Sequence, residues 1–179
     1  MKPIKEMTQS ELAAFVQSRL SENGIDVVLS GGACVAIYTR NKYVSLDLDM
    51  IEIYPGKKRV IRDSMNKMGF YEEGRHFKHP DSKFIIEFPQ GPLSIGDEKV
   101  TQVVELDFST GTLKLLSPTD CVKDRLAAFY HWGDKQCLAQ AILVAQDHKI
   151  DLQEIKRWSY VEGKQVEFQK IVGRLEYGG

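Results

Sequence analysis

Cysteine is scarce in this sequence, long apolar runs are missing, and the formal net charge is only −1. The three cysteines among 179 residues, Cys34, Cys121 and Cys137, have a spacing that fits neither a zinc site nor a disulfide framework, which favours a reducing compartment. No run approaches the length of a membrane span, and the N-terminus lacks the apolar core of a signal peptide. With 24 basic and 25 acidic residues, no global field draws the protein onto nucleic acid or a membrane. We therefore expect a cytoplasmic protein without a membrane partner.

Helix and strand signals are mixed in the first two-thirds of the chain, whereas the last third predicts helices alone. A capping-box signal at Thr8 and Glu11 opens the first helical pattern, which ends at Gly24. Strands are predicted at 27–29, 46–51, 70–73, 75–78, 83–88, 100–108 and 112–116. Helices are predicted at 33–39, 57–68, 119–132, 134–148, 152–160 and 164–175. The pattern predicts an α+β domain with a mixed sheet and flanking helices over residues 1–116, and a C-terminal helical region over 117–179 packed on it.

Two aspartates stand one residue apart in a strand-like segment. Asp47 and Asp49 alternate with Leu46, Leu48 and Met50, so both carboxylates lie on one face, with Cα atoms about 6.5–7 Å apart. Two like charges at this separation are unfavourable unless a cation or a proton resolves them, and a hard divalent cation prefers such oxygen ligands. The alternative is that the pair is the solvated face of an edge strand.

A pair of glycines lies ahead of the aspartates, between a predicted strand and a predicted helix. At Gly31 and Gly32 the backbone N–H groups are free to approach a phosphate, and the helix N-terminus adds partial positive charge. Taken alone, the glycines indicate only a tight turn. Together with the aspartates, they predict one site for a phosphate and a magnesium ion.

The segments L-S-G-G-A and R-N-K-Y-V-S-L-D-L-D resemble the first motif of the DNA polymerase β-type nucleotidyltransferase superfamily, and are closest to small AbiEii-like toxin nucleotidyltransferases. Arg40, Ser45, Asp47 and Asp49 match that motif. The resemblance implies a nucleotidyltransferase-type fold, a Mg²⁺ cofactor held by the aspartates, and an NTP substrate bound by Gly31, Gly32 and Ser45.

The same resemblance implies a third carboxylate from a later strand, and two residues are candidates. Glu87 lies among apolar residues in F-I-I-E-F, where a carboxylate without a partner is costly. Asp107 lies in V-V-E-L-D-F, on the same face as Glu105. The loop from Pro89 to Pro92 would end the first of these strands at a cleft edge, which favours Glu87 as a catalytic and metal-binding residue.

In the helical half, the segment T-D-C-V-K-D-R-L-A-A-F-Y-H-W-G-D-K resembles the later AbiEii-like motifs. The resemblance implies that Lys123 contacts the triphosphate and that Asp134 is the downstream acid. The alternative is that residues 123–125 are a solvated helix face. Tyr130 and Trp132 are more typical of core packing than of stacking on a base.

The favoured function is a Mg²⁺-dependent nucleotidyltransferase that transfers NMP from an NTP to an RNA end, a protein hydroxyl or a small molecule. The resemblance also makes the protein a candidate component of a toxin–antitoxin pair with an antitoxin partner. The alternative is a catalytically inactive nucleotide-binding or protein-interaction module with the same fold, and a third candidate is a phosphodiesterase. The locally basic segment Arg75 to His79 reads as a solvated hairpin, or else as a contact for a polyanionic acceptor.

Overall fold

The computed structural model describes residues 2–176, which form a mixed sheet, a small hairpin and seven helices. A 3₁₀ turn covers Ile4–Glu6. The helices are α1 (Gln9–Ser21), α2 (Gly31–Tyr38), α3 (Lys58–Lys67), α4 (Pro118–Trp132), α5 (Lys135–Asp147), α6 (Leu152–Val161) and α7 (Gln165–Glu176). The strands are β1 (Val27–Ser30), β2 (Asp47–Glu52), β3 (Tyr71–Glu73), β4 (His76–Lys78), β5 (Ile85–Glu87), β6 (Ser94–Ile95), β7 (Glu98–Lys99), β8 (Val103–Phe108) and β9 (Gly111–Leu116). The predicted α+β architecture, with a mixed sheet followed by helices, is confirmed.

The seven-stranded sheet has the order β3-β4-β5-β2-β1-β9-β8. Its centre is β2, which runs antiparallel to β1 and parallel to β5. In this register Asp49 lies opposite Ser30 on one side and opposite Glu87 on the other. The sheet topology therefore places the end of the glycine turn and a third carboxylate on either side of one aspartate.

The outer half of the sheet, from β3 to β2, is buried on only one face. Leu48, Met50, Phe77 and Ile86 point into the core and are almost fully buried. The alternate residues on β2, β4 and β5 are exposed or half-buried, and they include Asp47, Asp49, Ile85, Glu87, His76 and Lys78. The period-two pattern of the sequence thus becomes an open sheet face that carries the carboxylates.

Two helix starts follow the local sequence closely. The Thr8 side chain accepts a hydrogen bond from the N–H of Glu11, whose carboxylate accepts from the N–H of Thr8, so the predicted capping box of α1 is present. Ser117 caps α4 by accepting from the N–H of Asp120, and Pro118 occupies the first turn. These caps satisfy backbone donors that the helix itself leaves unpaired.

One hydrophobic core joins the α/β half to the helical half. Fully buried side chains from α2, α4 and α5, among them Val35, Leu126 and Val144, belong to the same cluster as Leu29 and Leu48 of the sheet. Trp158 of α6 is also buried in this cluster, stacks against Tyr130, and donates its indole N–H to the carbonyl of Ile95. The helical region therefore completes the core rather than standing apart from it. None of the helices within residues 2–176 is long and apolar enough to cross a membrane.

Two local predictions were wrong or incomplete. Trp132 was expected in the core, but it is 80% exposed, because α4 ends there at Gly133 in the left-handed conformation. The β6–β7 hairpin was not predicted, because each strand has two residues and shows no periodicity. The Gly-Asp pair at its turn is the available sequence signal. All three cysteines are buried free thiols.

A shared core predicts that the two halves unfold together. Leu126 is fully buried in α4, so Leu126→Ala should lower the free energy of unfolding by about 2–5 kcal/mol. Both tryptophans lie in the helical half, so tryptophan fluorescence reports on that half, whereas circular dichroism reports on the whole chain. In urea denaturation, fluorescence and circular dichroism should give coincident transitions for the wild type and for the variant. Separate midpoints would show that residues 1–116 and 117–179 are independent units.

Candidate functional site

The glycine turn between β1 and α2 receives the carboxylate of Asp49. Gly31 has φ +67°, and a Cβ at this position would collide with Oδ2 of Asp49. Glycine is required here both for the left-handed backbone and for the close approach of the carboxylate. The predicted link between the glycines and the aspartates is therefore a direct steric contact.

The second glycine packs against Ser45 and Tyr43, which lie in the segment leading into β2. A Cβ on Gly32 would come within 3.2 Å of the Ser45 hydroxyl and of Cε1 of Tyr43. The Ser45 hydroxyl is fixed by the backbone of Asp47, with distances of 3.2 Å to its carbonyl and 3.3 Å to its N–H. The structure therefore brings Gly31, Gly32, Ser45, Asp47 and Asp49 together.

The N-terminus of α2 points its first N–H groups into this turn. Ser30 occupies the cap position, but its side chain makes no capping hydrogen bond and instead lies 3.4 Å from the carbonyl of Asp49. Unpaired helical N–H groups with a partial positive charge are suited to an anion.

The environment of Asp49 opposes its negative charge. Burial, and then the charge of Glu87, raise the pKa of Asp49 to about 6, and Arg125 opposes this rise. Asp47 and Asp124 add to the repulsion. The site thus concentrates acidic groups that a proton or a cation would stabilise.

Glu87 lies beside Asp49 but is engaged by the β3–β4 hairpin. Its two carboxylate oxygens lie 3.2 Å from Nε of Arg75 and 3.4 Å from Nε2 of His76. Asp107, the other candidate, lies on β8 at the far edge of the sheet, where it accepts a hydrogen bond from Thr112. Of the two candidates, the structure brings only Glu87 to the aspartate pair.

Helix α4 contributes Asp124 and Arg125, to which the sequence analysis gave no role beyond the alternative of a solvated face. The Arg125 side chain is only 16% exposed and is bound to Asp124 at 2.5 Å. It also lies 3.4 Å from Oε1 of Gln140 and 3.6 Å from the Cys137 sulfur. Arg125 lowers and Asp124 raises the pKa of Asp49, so this half-buried pair lies close enough to influence that carboxylate. The sequence signal was a run of three charged residues, which does not reveal the face that is buried.

Lys123 is not one of the residues that the structure brings to the aspartate pair. Its side chain is 8% exposed, and its amine binds Glu154 at 2.7 Å and Asp120 at 3.4 Å. It lines a separate cavity of about 410 Å³ with Arg157, and none of the three predicted metal-binding carboxylates lines that cavity. The triphosphate contact at Lys123 stays a prediction, and in this structure the amine is paired with two carboxylates instead.

Two further motif residues have roles in chain geometry. Asp134 caps α5, accepting from the N–H groups of Gln136 and Cys137 at 2.9 and 3.0 Å, and the hydrogen bonds from Cys137 lower its pKa. Arg40 is exposed in the reversal after α2, where its φ is +50°. Within residues 2–176, neither Asp134 nor Arg40 makes a hydrogen bond or ion pair with Asp47, Asp49 or Glu87.

The donor set fits a hard divalent cation in its chemistry. Asp47 and Asp49 offer carboxylate oxygens on one sheet face, and Glu87 beside them would add a third only by giving up Arg75 and His76. As they stand in residues 2–176, no three His, Cys, Asp or Glu side chains are gathered closely enough to hold a metal. The two aspartates are therefore the residues that would bind Mg²⁺ first.

Comparisons with known proteins identify the fold. No protein-family model matches the sequence, and no curated protein is significantly similar to it. Among solved structures, an antigenic nucleotidyltransferase-like protein from Paracoccidioides brasiliensis matches 94% of this chain and 92% of its own, with a TM-score of 0.60 and 14% identity. The structure of ANT(2″)-Ia in complex with adenylyl-2″-tobramycin matches 92% of this chain and 98% of its own, with a TM-score of 0.52 and 13% identity. The chain has the nucleotidyltransferase fold.

The contact between Gly31 and Asp49 predicts a large effect of one methyl group. Gly31→Ala should lower the free energy of unfolding by more than the roughly 1–2 kcal/mol that a left-handed backbone costs, because the Cβ also displaces the carboxylate. Gly173→Ala is the control, since open space surrounds Gly173 in α7. Thermal and urea unfolding give the stabilities of both variants. If Gly31→Ala were as stable as Gly173→Ala, the proposed contact would be contradicted.

The raised pKa of Asp49 predicts that Asp49→Asn stabilises the fold by an amount that depends on pH. The folded state disfavours the charged carboxylate. The resulting loss of stability is therefore absent below the ordinary pKa near 3.8 and fully present above about 6. In EDTA, Asp49→Asn should raise the melting temperature at pH 8 and raise it less at pH 4. A difference that does not change with pH would contradict the assignment.

Proposed function

We propose that the protein is a Mg²⁺-dependent nucleotidyltransferase that transfers NMP from an NTP to a hydroxyl acceptor and releases pyrophosphate. The observation that carries this proposal is the packing of Asp49 between Gly31 and Glu87, with Asp47 on the same sheet face. A helix N-terminus without a side-chain cap lies at this place, and the half-buried Arg125 is near enough to influence Asp49. The shared fold supports the proposal.

Each group has a role that its surroundings suit. Gly31, Gly32 and Ser45 bind the phosphates, since their backbone and hydroxyl donors lie at the N-terminus of α2. Arg125, held by Asp124, supplies the positive charge that the sequence analysis had given to Lys123. Asp47 and Asp49 are the ligands of Mg²⁺, which when bound neutralises charge on the phosphates.

In the reaction, the acceptor oxygen forms a bond to the α-phosphorus while the bond from that phosphorus to the pyrophosphate oxygen breaks. The acceptor proton passes to a carboxylate, and Glu87 is the proposed base once Arg75 and His76 release it. This exchange links the chemistry to the position of the β3–β4 hairpin.

The acceptor is an RNA end, a protein hydroxyl or a small molecule. ANT(2″)-Ia was crystallised with an adenylylated tobramycin, which supports a small hydroxyl-bearing acceptor for this fold. A toxin role with an antitoxin partner rests on the motif resemblance of residues 29–49 to AbiEii-like proteins.

A non-catalytic nucleotide-binding module is the second candidate. The observation that favours it is the engagement of both Glu87 oxygens by Arg75 and His76, which leaves two carboxylates for metal. In such a module, the glycine turn would bind nucleotide without transfer.

Label transfer tests the proposal. The protein is incubated with each α-labelled NTP, Mg²⁺, and either total RNA, cell lysate or a panel of aminoglycosides. Label should appear in one acceptor pool, and Asp47→Ala should lower the rate at least 100-fold, because it removes an exposed metal ligand without opening the core.

Asp107→Ala is the matched control, since Asp107 is also an exposed strand aspartate but lies at the far sheet edge. It should retain the wild-type rate within about threefold. Nucleotide binding without transfer would support the inactive module, and breakdown of NTP or RNA without label incorporation would support a phosphodiesterase.

A further inference from the structure

Tyr43 lies at the glycine turn, in the segment between α2 and β2. Its Cε1 atom would be 3.2 Å from a Cβ on Gly32, so the ring lies against the second glycine. The backbone N–H of Tyr43 donates to the Thr39 hydroxyl at 3.4 Å, which ties the segment to the end of α2. The ring therefore has a defined position beside the first turn of the helix.

Charged groups of the site lie near enough to influence this ring. Burial raises the pKa of Tyr43, Arg125 opposes the rise, and Cys137, Asp134 and Asp47 add to it. Tyr43 therefore borders the glycine turn by direct contact and lies in the neighbourhood of Arg125 and Asp47. It is only half-buried, so its ring borders the open part of the site.

The hydroxyl of Tyr43 differs from those of the buried tyrosines. Tyr38 donates to the carbonyl of Leu116 at 2.6 Å, and Tyr130 lies 3.0 Å from the Ser159 hydroxyl. Within residues 2–176, the Tyr43 hydroxyl makes no hydrogen bond. The ring contributes to packing, whereas the hydroxyl is not engaged by this part of the chain.

We propose that Tyr43 is a phosphate-binding residue, whose hydroxyl donates to the triphosphate at the glycine turn, beside Arg125. This rests on the proposed function, because it takes the turn as the triphosphate site. A neutral donor next to a guanidinium strengthens the hold on an anion without adding a charge that would compete for the aspartates. The ligand is the triphosphate moiety, whatever base it carries.

Tyr43→Phe tests the hydroxyl alone, because it keeps the ring against Gly32. The probe is Mg²⁺ tripolyphosphate, which needs no base, and binding is measured by isothermal titration calorimetry. The dissociation constant should rise at least fivefold, while the melting temperature without ligand stays unchanged. Tyr54→Phe is the control, since Tyr54 is 73% exposed, and it should bind as the wild type does.

Kinetics give a second measurement that packing alone would not change. In the label-transfer assay, Tyr43→Phe should raise KM for the NTP at least fivefold. Wild-type affinity and KM in Tyr43→Phe would overturn the role of Tyr43 and leave the nucleotidyltransferase proposal standing. A wild-type protein that binds neither tripolyphosphate nor any NTP would overturn both.

Discussion

The crowding of acidic groups around Asp49 is the constraint on which the rest of the site depends. The carboxylate is pressed between Gly31 and Glu87, and it is partly withdrawn from water. The left-handed Gly31 leaves room for this carboxylate, and Arg125, whose side chain is largely withdrawn from water, offsets part of its negative charge. In the proposed function, a cation bound at this place would relieve the remaining repulsion.

The core of the site could be predicted from the sequence because its signals are local. The alternation of apolar residues with Asp47 and Asp49 predicts which side chains share a face of the strand, and a glycine pair after a strand predicts a turn. The choice between Glu87 and Asp107 could not be made in this way, because it depends on strand order. Only the parallel pairing of β5 with β2 brings Glu87 to Asp49.

The helical contribution was harder to predict for a related reason. Lys123 and Arg125 are two positions apart on one helix and therefore face different neighbours. Lys123 binds Glu154 of α6, a residue far along the chain, whereas Arg125 contacts Cys137 and Gln140 of α5 and influences Asp49. Trp132 shows the same limit, since the apolar pattern of α4 does not reveal that its last residue lies beyond the core.

The contacts of Glu87 with Arg75 and His76 connect the β3–β4 hairpin, at the edge of the sheet, to the carboxylates at its centre. Arg75 is at the tip of that hairpin, next to Gly74, and both residues are exposed. Exposed turns change readily in evolution, because few packing constraints act on them. Under the proposed mechanism, changes at the hairpin tip would alter how readily Glu87 is released while leaving every carboxylate of the site in place.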